Sequence, residues 1–454
     1  MSDFSELVSR QKAFVKGGVT RSVSWRKEQL KRLLAEMDKQ EDRILEALKQ
    51  DLNKAPFEAF AAEVGTVRAE LKHCIKHLSH WAGKRRVGTP LAHFPSRSYI
   101  LCEPYGSVLL LSPWNYPFQL CMAPLIAALC AGNSVIAKPS SHAPATASAI
   151  GDLLEACFPE EYAVCVQGPT SKANELLDED FDYIFFTGSP GVGRMVMEKA
   201  SKHLTPVTLE LGGKSPCIVT PDADISLAAR RIAWGKTINA GQTCVAPDYL
   251  IVHRSVYKQL VDSLVDSFTA LWGETPHQNP DYTRIIDKRH YEQLVELKNQ
   301  AEPFYGGQEN PDTLQIAPAL IDAKWDDPIM ADEIFGPLLP VIVYEGLDHI
   351  LPKIQARPKP LALYLFTTSR RTEKKVLHSV SFGGGCVNDT VVHLANPGLP
   401  FGGVGQSGMG SYHGKAGFDT FTHYKSILKK HAHIDVPLRY PPYKRGLGLL
   451  KRFF

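Results

Sequence analysis

The sequence predicts an α/β protein with two lobes, each built on a parallel sheet, and a small β projection. Two observations predict it. From Gly106 onward, short continuously apolar stretches alternate with helical ones, the pattern of βαβ units in an open parallel sheet covered on both faces. The alternation runs to residue 212 and then starts afresh, and 454 residues are too many for one compact core.

The elements follow in order. In the first 80 residues Leu30, Leu33, Leu34, Met37, Ile44, Leu45 and Leu48 recur at helical spacing with charges between them. Residues 83–104 are basic, hold Pro90 and Pro95, and end in Tyr99-Ile100-Leu101-Cys102, which predicts a projecting hairpin. The first lobe then reads as strand 107–111, apolar helix 118–131, strand 134–137, helix 143–157, strand 163–167 and strand 183–186. The second reads as helix 225–240, strand 249–253, helices 255–271 and 288–301, and strands near 338–344 and 361–367.

Composition excludes several classes. Hydrophobic residues make up 44% and charged residues 22%, so the chain is neither disordered nor a disulfide scaffold. Lys and Arg number 51 and Asp and Glu 48, a net +3 that argues against nucleic-acid binding. Nine cysteines lie scattered from Cys74 to Cys386 without metal-ligand spacing, and free thiols suit a reducing, cytoplasmic compartment. The acidic N-terminal residues do not resemble a signal peptide, and the 118–131 run is too short to span a membrane. His73, His77 and His80 share a helix face and read as solvated rather than as a metal site. The end of the chain, Lys444-Arg445-Gly446-Leu447-Gly448-Leu449-Leu450-Lys451-Arg452-Phe453-Phe454, mixes cations with apolar residues. That composition suits peripheral contact with an anionic membrane surface and equally suits packing on a partner subunit.

Four segments hold residues with chemistry. Gly188-Ser189-Pro190-Gly191-Val192-Gly193 joins a strand to a helix, which fits either a phosphate site or a plain glycine turn. Glu210, between Leu209 and Leu211 and before Gly212-Gly213, is either a general base with a raised pKa or an ordinary strand-end carboxylate. Cys244, after Gly241-Gln242-Thr243, is either a nucleophile or a buried structural thiol. Asn115, in Trp114-Asn115-Tyr116-Pro117, either donates to an oxyanion or caps the next helix.

Together these segments are far more specific than any one. With Lys138-Pro139-Ser140, Glu333-Ile334-Phe335-Gly336-Pro337 and Pro400-Phe401-Gly402-Gly403, they resemble the NAD(P)-dependent aldehyde dehydrogenase superfamily, in family order over essentially the whole chain. The region before residue 83 and the tail look like the class 3 branch of fatty and aromatic aldehyde dehydrogenases.

The resemblance implies a Rossmann-like cofactor domain (1–82 and 105–211), an α/β catalytic domain (212–412), a β oligomerisation arm (83–104 and 425–437) and a basic tail (438–454). It implies that Cys244 attacks an aldehyde, that Asn115 and the Cys244 N–H hold the oxyanion, and that Glu210 activates the water that hydrolyses a thioester. NAD or NADP would be held by Lys138, Ser141, Gly188, Ser189, Gly193, Leu211, Glu333 and Phe335. Trp114 would stand beside cofactor and aldehyde entrance, with Phe401, Tyr116 and Trp234 lining the substrate pocket. No metal is implied, and a homodimer is. Many family members carry Glu at the position of Ser141, so its absence here implies use of both NAD and NADP. A CoA-acylating relative would lack Glu210, and a thiol-dependent esterase would leave the cofactor motifs without a purpose.

Overall fold

All five residues of Ser107–Leu111 are buried, as a strand covered on both faces must be. In the computed structural model, which describes residues 3–435, 437–443 and 446–451, this strand is central to a six-stranded sheet. The order across it is Gly408–Met409, Val207–Leu211, Tyr183–Gly188, Ser107–Leu111, Ser134–Lys138, Ala163–Cys165. All neighbours are parallel except Gly408–Met409, which runs antiparallel along the Val207–Leu211 edge. The order reverses direction at Ser107–Leu111, and such a switch leaves a crevice at the carboxyl ends of the strands.

A second, seven-stranded sheet runs Tyr305–Gly306, Ala319–Asp322, Leu338–Tyr344, Tyr249–His253, Pro216–Val219, Ala362–Phe366, Gly384–Val387. Only Tyr305–Gly306 is antiparallel there. A third sheet joins Arg85–Val87, Ser96–Pro104 and Thr422–Lys430.

The helix Gln119–Ala131 is buried along its whole length, packed between the first sheet and the helices Val23–Lys39 and Gly65–Trp81. Among the described residues no helix is long and apolar enough to cross a membrane.

Several expectations shift. Residues 83–104 pair not only with themselves: Ser96–Pro104 is matched along its length by the C-terminal strand, which begins at Thr422. Gly408–Met409 joins the first sheet, although the sequence puts these residues with the second lobe. The strand 163–167 stops at Cys165 and the helix 225–240 at Thr237, where the backbone turns left-handed. His73 and His77 are half-buried against Trp81 rather than solvated. Lys444, Arg445 and residues 452–454 of the basic tail lie outside the described residues.

Candidate active site

The loop leaving Ser107–Leu111 at its carboxyl end carries Asn115. Its side-chain Nδ2 donates to the Gln242 carbonyl at 3.1 Å. Its own carbonyl accepts from Asn239 Nδ2 at 2.7 Å and from Lys54 Nζ at 2.9 Å. Lys54 in turn pairs with Glu63 at 2.5 Å, both side chains fully buried. The second Glu63 oxygen accepts from the N–H groups of Phe118 and Gln119, so Glu63 caps the helix Gln119–Ala131. That removes the capping role from Asn115. Glu63 lies in a π-helical turn, Phe60–Val64, inside otherwise α-helical chain.

Cys244 is delivered by an unusual backbone. Asn239, Ala240 and Gly241 have φ of 53°, 51° and 74°, three left-handed residues in a row. Left-handed backbone costs an L-residue about 1–2 kcal/mol, so the segment must be held by its surroundings. At Gly241 a Cβ would also collide with the Gly336 carbonyl. Gln242 pins the turn: Nε2 donates to the carbonyls of Asn239 and Arg284, and Oε1 accepts from Ile286 N. On the far side Tyr364 Oη donates to the Val245 carbonyl at 2.5 Å. Burial, then the nearby Glu333 and Glu210 carboxyls, push the Cys244 thiol well above its ordinary range.

Glu210 is 2% exposed, and neither carboxyl oxygen has a hydrogen-bond partner. Burial alone pushes its pKa well above the carboxylate range. A strand-end carboxylate with no task would face water; this one is held dry. Glu333 is also pushed up, by burial and then by Asp248, and the Gly213 N–H pulls it partly back. Gly212 allows this approach, since a Cβ there would collide with the Glu333 carboxylate. Asp248 ties the two loops together: it accepts from Ile334 N at 3.0 Å and pairs with Lys214 Nζ at 2.5 Å.

Two spaces meet at Cys244. A channel of about 360 Å³ is lined by Tyr116, Trp234, Phe57, Trp272 and Phe401 among others, and nearly all its surface is apolar. A cavity of about 270 Å³ is bordered by Trp114, Asn115, Gly188, Ser189, Glu210, Leu211, Gly212, Glu333 and Phe335. Cys244, Leu120 and Phe401 border both. A thiol between an apolar channel and a second cavity, with an amide and a dry carboxyl beside it, is arranged for acyl chemistry with two reactants.

The sequence model of the aldehyde dehydrogenase family matches residues 3–427. The chain belongs to the aldehyde dehydrogenase family. It is 47% identical to the 4,4'-diaponeurosporen-aldehyde dehydrogenase of Staphylococcus aureus, over 98% of this chain and 97% of that one. It is 42% identical to the dimeric NADP-preferring aldehyde dehydrogenase of Rattus norvegicus, over 97% and 98%. Its structure matches the substrate-bound state of Staphylococcus aureus AldH with a TM-score of 0.98 at 46% identity, covering 100% of both chains. The protein is thus an NAD(P)-dependent aldehyde dehydrogenase.

The residues of this aldehyde dehydrogenase fit a nicotinamide dinucleotide beside Cys244. The unpartnered Glu210 carboxyl and the close Gly212–Glu333 approach shape one end of the cavity. Gly188 and Ser189 border it where the helix Pro190–Ser201 begins, and Ser189 caps that helix.

Gly193 is buried against the Leu211 side chain and its N–H is bonded to the Ser189 carbonyl, so it packs helix on strand beside Gly188 and Ser189. Trp114 stands edge-on to Phe335, with ring centroids 5.5 Å apart, and borders the cofactor-side cavity but not the apolar channel. Lys138 is buried and its ammonium donates to the Pro139 carbonyl at 2.8 Å. Ser141 is exposed, and neither it nor Lys138 borders the cavity beside Cys244. Sequence reasoning gave no role to Lys54, Glu58, Glu63, Asn239, Lys214 or Asp248. The signal in the chain is charge: Lys54, Glu58 and Glu63 stand among the apolar residues 55–64 and just before them.

Proposed function

We propose that this enzyme oxidises medium- or long-chain aliphatic or aromatic aldehydes to acids through a thioester on Cys244. The apolar channel leading to the thiol supports the substrate class. The Cys244 thiol adds to the aldehyde carbon and its proton passes to Glu210. Asn115 Nδ2 and the Cys244 N–H hold the resulting oxyanion. A nicotinamide held beside Cys244 would supply the hydride acceptor, and Cys244 would then carry the acyl group. Glu210 then releases the thiol's proton to solvent and, ionised again, takes a proton from water; hydroxide adds to the thioester, the C–S bond breaks, the Cys244 thiolate takes a proton and the acid leaves.

The observation that carries this reading is the Glu210 carboxyl, buried without partners on the border of the same cavity as Cys244. A carboxyl so placed is an available base for water, which favours hydrolysis over transfer to CoA.

Glu333 and Phe335 would hold the nicotinamide ribose, the Leu211 carbonyl its carboxamide, and Gly188 and Ser189 the pyrophosphate. Residues 1–82 and 105–211 form the cofactor domain, and most of 212–412 the catalytic domain. The third sheet has exposed edges, which suits pairing with a second copy, so the assembly is a homodimer. The compartment is cytoplasmic, and the basic tail reaches an anionic membrane surface or packs on the partner; co-sedimentation with anionic liposomes separates these.

Cys244→Ala is expected to abolish NAD(P)H formation from an aldehyde while leaving NADP binding by titration calorimetry intact. Near-native turnover in that variant would overturn the mechanism.

A further inference from the structure

The helix Ile225–Thr237 ends two residues before Asn239, so the Asn239 N–H needs an acceptor from outside that helix. Glu58 provides it. Its Oε1 accepts from Asn239 N at 2.8 Å and more weakly from Thr283 Oγ1 at 3.4 Å. Glu58 belongs to a four-residue helix, Pro56–Ala59, and is 181 residues away in sequence from the residue it holds.

What Asn239 does next makes this bond matter. Asn239 opens the left-handed run 239–241 that leads into Gln242, Thr243 and Cys244. Its side-chain Nδ2 donates both to the Asn115 carbonyl at 2.7 Å and to the Gln242 carbonyl at 3.0 Å. The Gln242 carbonyl is also the acceptor for Asn115 Nδ2. One amide thus sets the distance between the Asn115 loop and the Cys244 loop, and Glu58 fixes the backbone that bears it. Lys54, four residues before Glu58, grips the same Asn115 carbonyl from the other side.

We propose that Glu58 is a positioning residue for the oxyanion site, acting through Asn239 on Asn115. The proposal rests on the reading of Asn115 as the oxyanion donor. Glu58 also lines the apolar channel, where a carboxyl has no value for binding a hydrocarbon chain; the bond to Asn239 accounts for its presence. A misplacement of about 1 Å in such a site costs on the order of a hundredfold in rate.

The test compares two reactions of Cys244. Acylation by p-nitrophenyl acetate passes through an oxyanion; alkylation by iodoacetamide does not. Glu58→Leu keeps the volume and removes the acceptor, whereas Glu58→Gln keeps an acceptor oxygen for Asn239. Acylation is expected to fall about 10- to 100-fold in Glu58→Leu and to stay within about threefold of wild type in Glu58→Gln. Alkylation and the affinity for NADP are expected to stay within about twofold in both. Unchanged acylation in Glu58→Leu overturns the proposal. So does an equal loss of acylation and alkylation, which would mean that the whole Cys244 segment had moved. If Glu58→Leu does not fold, an acylation loss in Glu58→Gln as large as that in Asn115→Ala would overturn the proposal, and near-wild-type rates in Glu58→Gln would support it. Running Asn115→Ala in the same assays separates the two ideas: full acylation there sinks the oxyanion reading itself, not the role of Glu58 alone.

Discussion

The Asn115 side-chain Nδ2 lies 3.1 Å from the main-chain carbonyl of Gln242, two residues before Cys244. One of its two amide hydrogens is thereby committed, and the other is left for a ligand. An Asn held this way has a fixed direction without side-chain freedom to lose, which is what a preorganised oxyanion donor requires. Asn115→Ala is expected to slow acylation of Cys244 by about 10²- to 10³-fold. Asn115→Asp is expected to be no better, because its charge repels the oxyanion. The burst rate with a chromogenic ester measures both, and a loss under about threefold would show that the amide is not the donor.

The Cys244 thiol is held up by burial, then by Glu333, then by Glu210. Its thiolate therefore forms only as pH rises, and alkylation by iodoacetamide should increase towards alkaline pH. Glu333 is itself pushed up, so its charge opposes the thiolate once pH is high enough to ionise it, and Glu333→Gln removes that charge. The alkylation profile of the variant is expected to shift to lower pH. A profile unmoved by the substitution would show that Glu333 does not act on the thiol.

Glu210 ionises less readily in the folded chain than in the unfolded one, because burial raises its pKa. Its stability contribution is complete below the ordinary carboxylate range and is lost as pH rises towards the folded pKa. Glu210→Gln removes that loss. The Tm of the variant is expected to exceed that of wild type by a margin that widens from pH 5 to pH 9. The same variant should accumulate acyl-enzyme, detectable by intact mass. A margin that stays flat across that range would mean that Glu210 is already ionised in the native state.

Lys54 and Glu63 form an ion pair with both side chains fully buried. Removing one partner of such a pair leaves the other charge buried, a loss of about 3–5 kcal/mol. Lys54→Met is expected to destabilise by that amount in urea unfolding. It should also lower acylation, since Lys54 holds the Asn115 carbonyl. Destabilisation below about 1 kcal/mol would contradict the burial argument.

The parallel sheets were legible because strands buried on both faces, such as Ser107–Leu111, are written as unbroken apolar runs. Cys244, Glu210 and Asn115 stood out as candidates because each sits in a short local motif, and the fold brings all three to one cavity. The support beneath them was not. Glu58 meets Asn239 across 181 residues, and Lys54 meets Asn115 across 61. A buried charge looks the same in sequence as a solvated one, and only the fold reveals its partner. The strand Gly408–Met409 was missed for a related reason: two residues have no periodicity, and pairing alone makes them a strand.

We propose that cofactor choice turns on Ser141, three residues past the strand Ser134–Lys138 and exposed. A carboxylate there would bond the adenosine ribose hydroxyls and repel a 2′-phosphate. Serine does neither strongly. No arginine lies in the adjoining loop to form a bidentate clamp on a phosphate. Lys138 is buried and donates to the Pro139 carbonyl, and His142 Nδ1 lies 3.0 Å from Asp287 Oδ2. With neither a guard nor a clamp, the wild-type kcat/KM values for NAD and NADP are expected to lie within about a hundredfold of each other, or about 2.7 kcal/mol. Ser141→Glu is expected to lower kcat/KM for NADP at least about tenfold more than for NAD, because it places like charges together. Both ratios are to be measured at one ionic strength, since salt screens the repulsion. A wild-type preference for NAD beyond a hundredfold would show that another group guards the ribose. An unchanged ratio in Ser141→Glu would show that the 2′-phosphate never approaches residue 141.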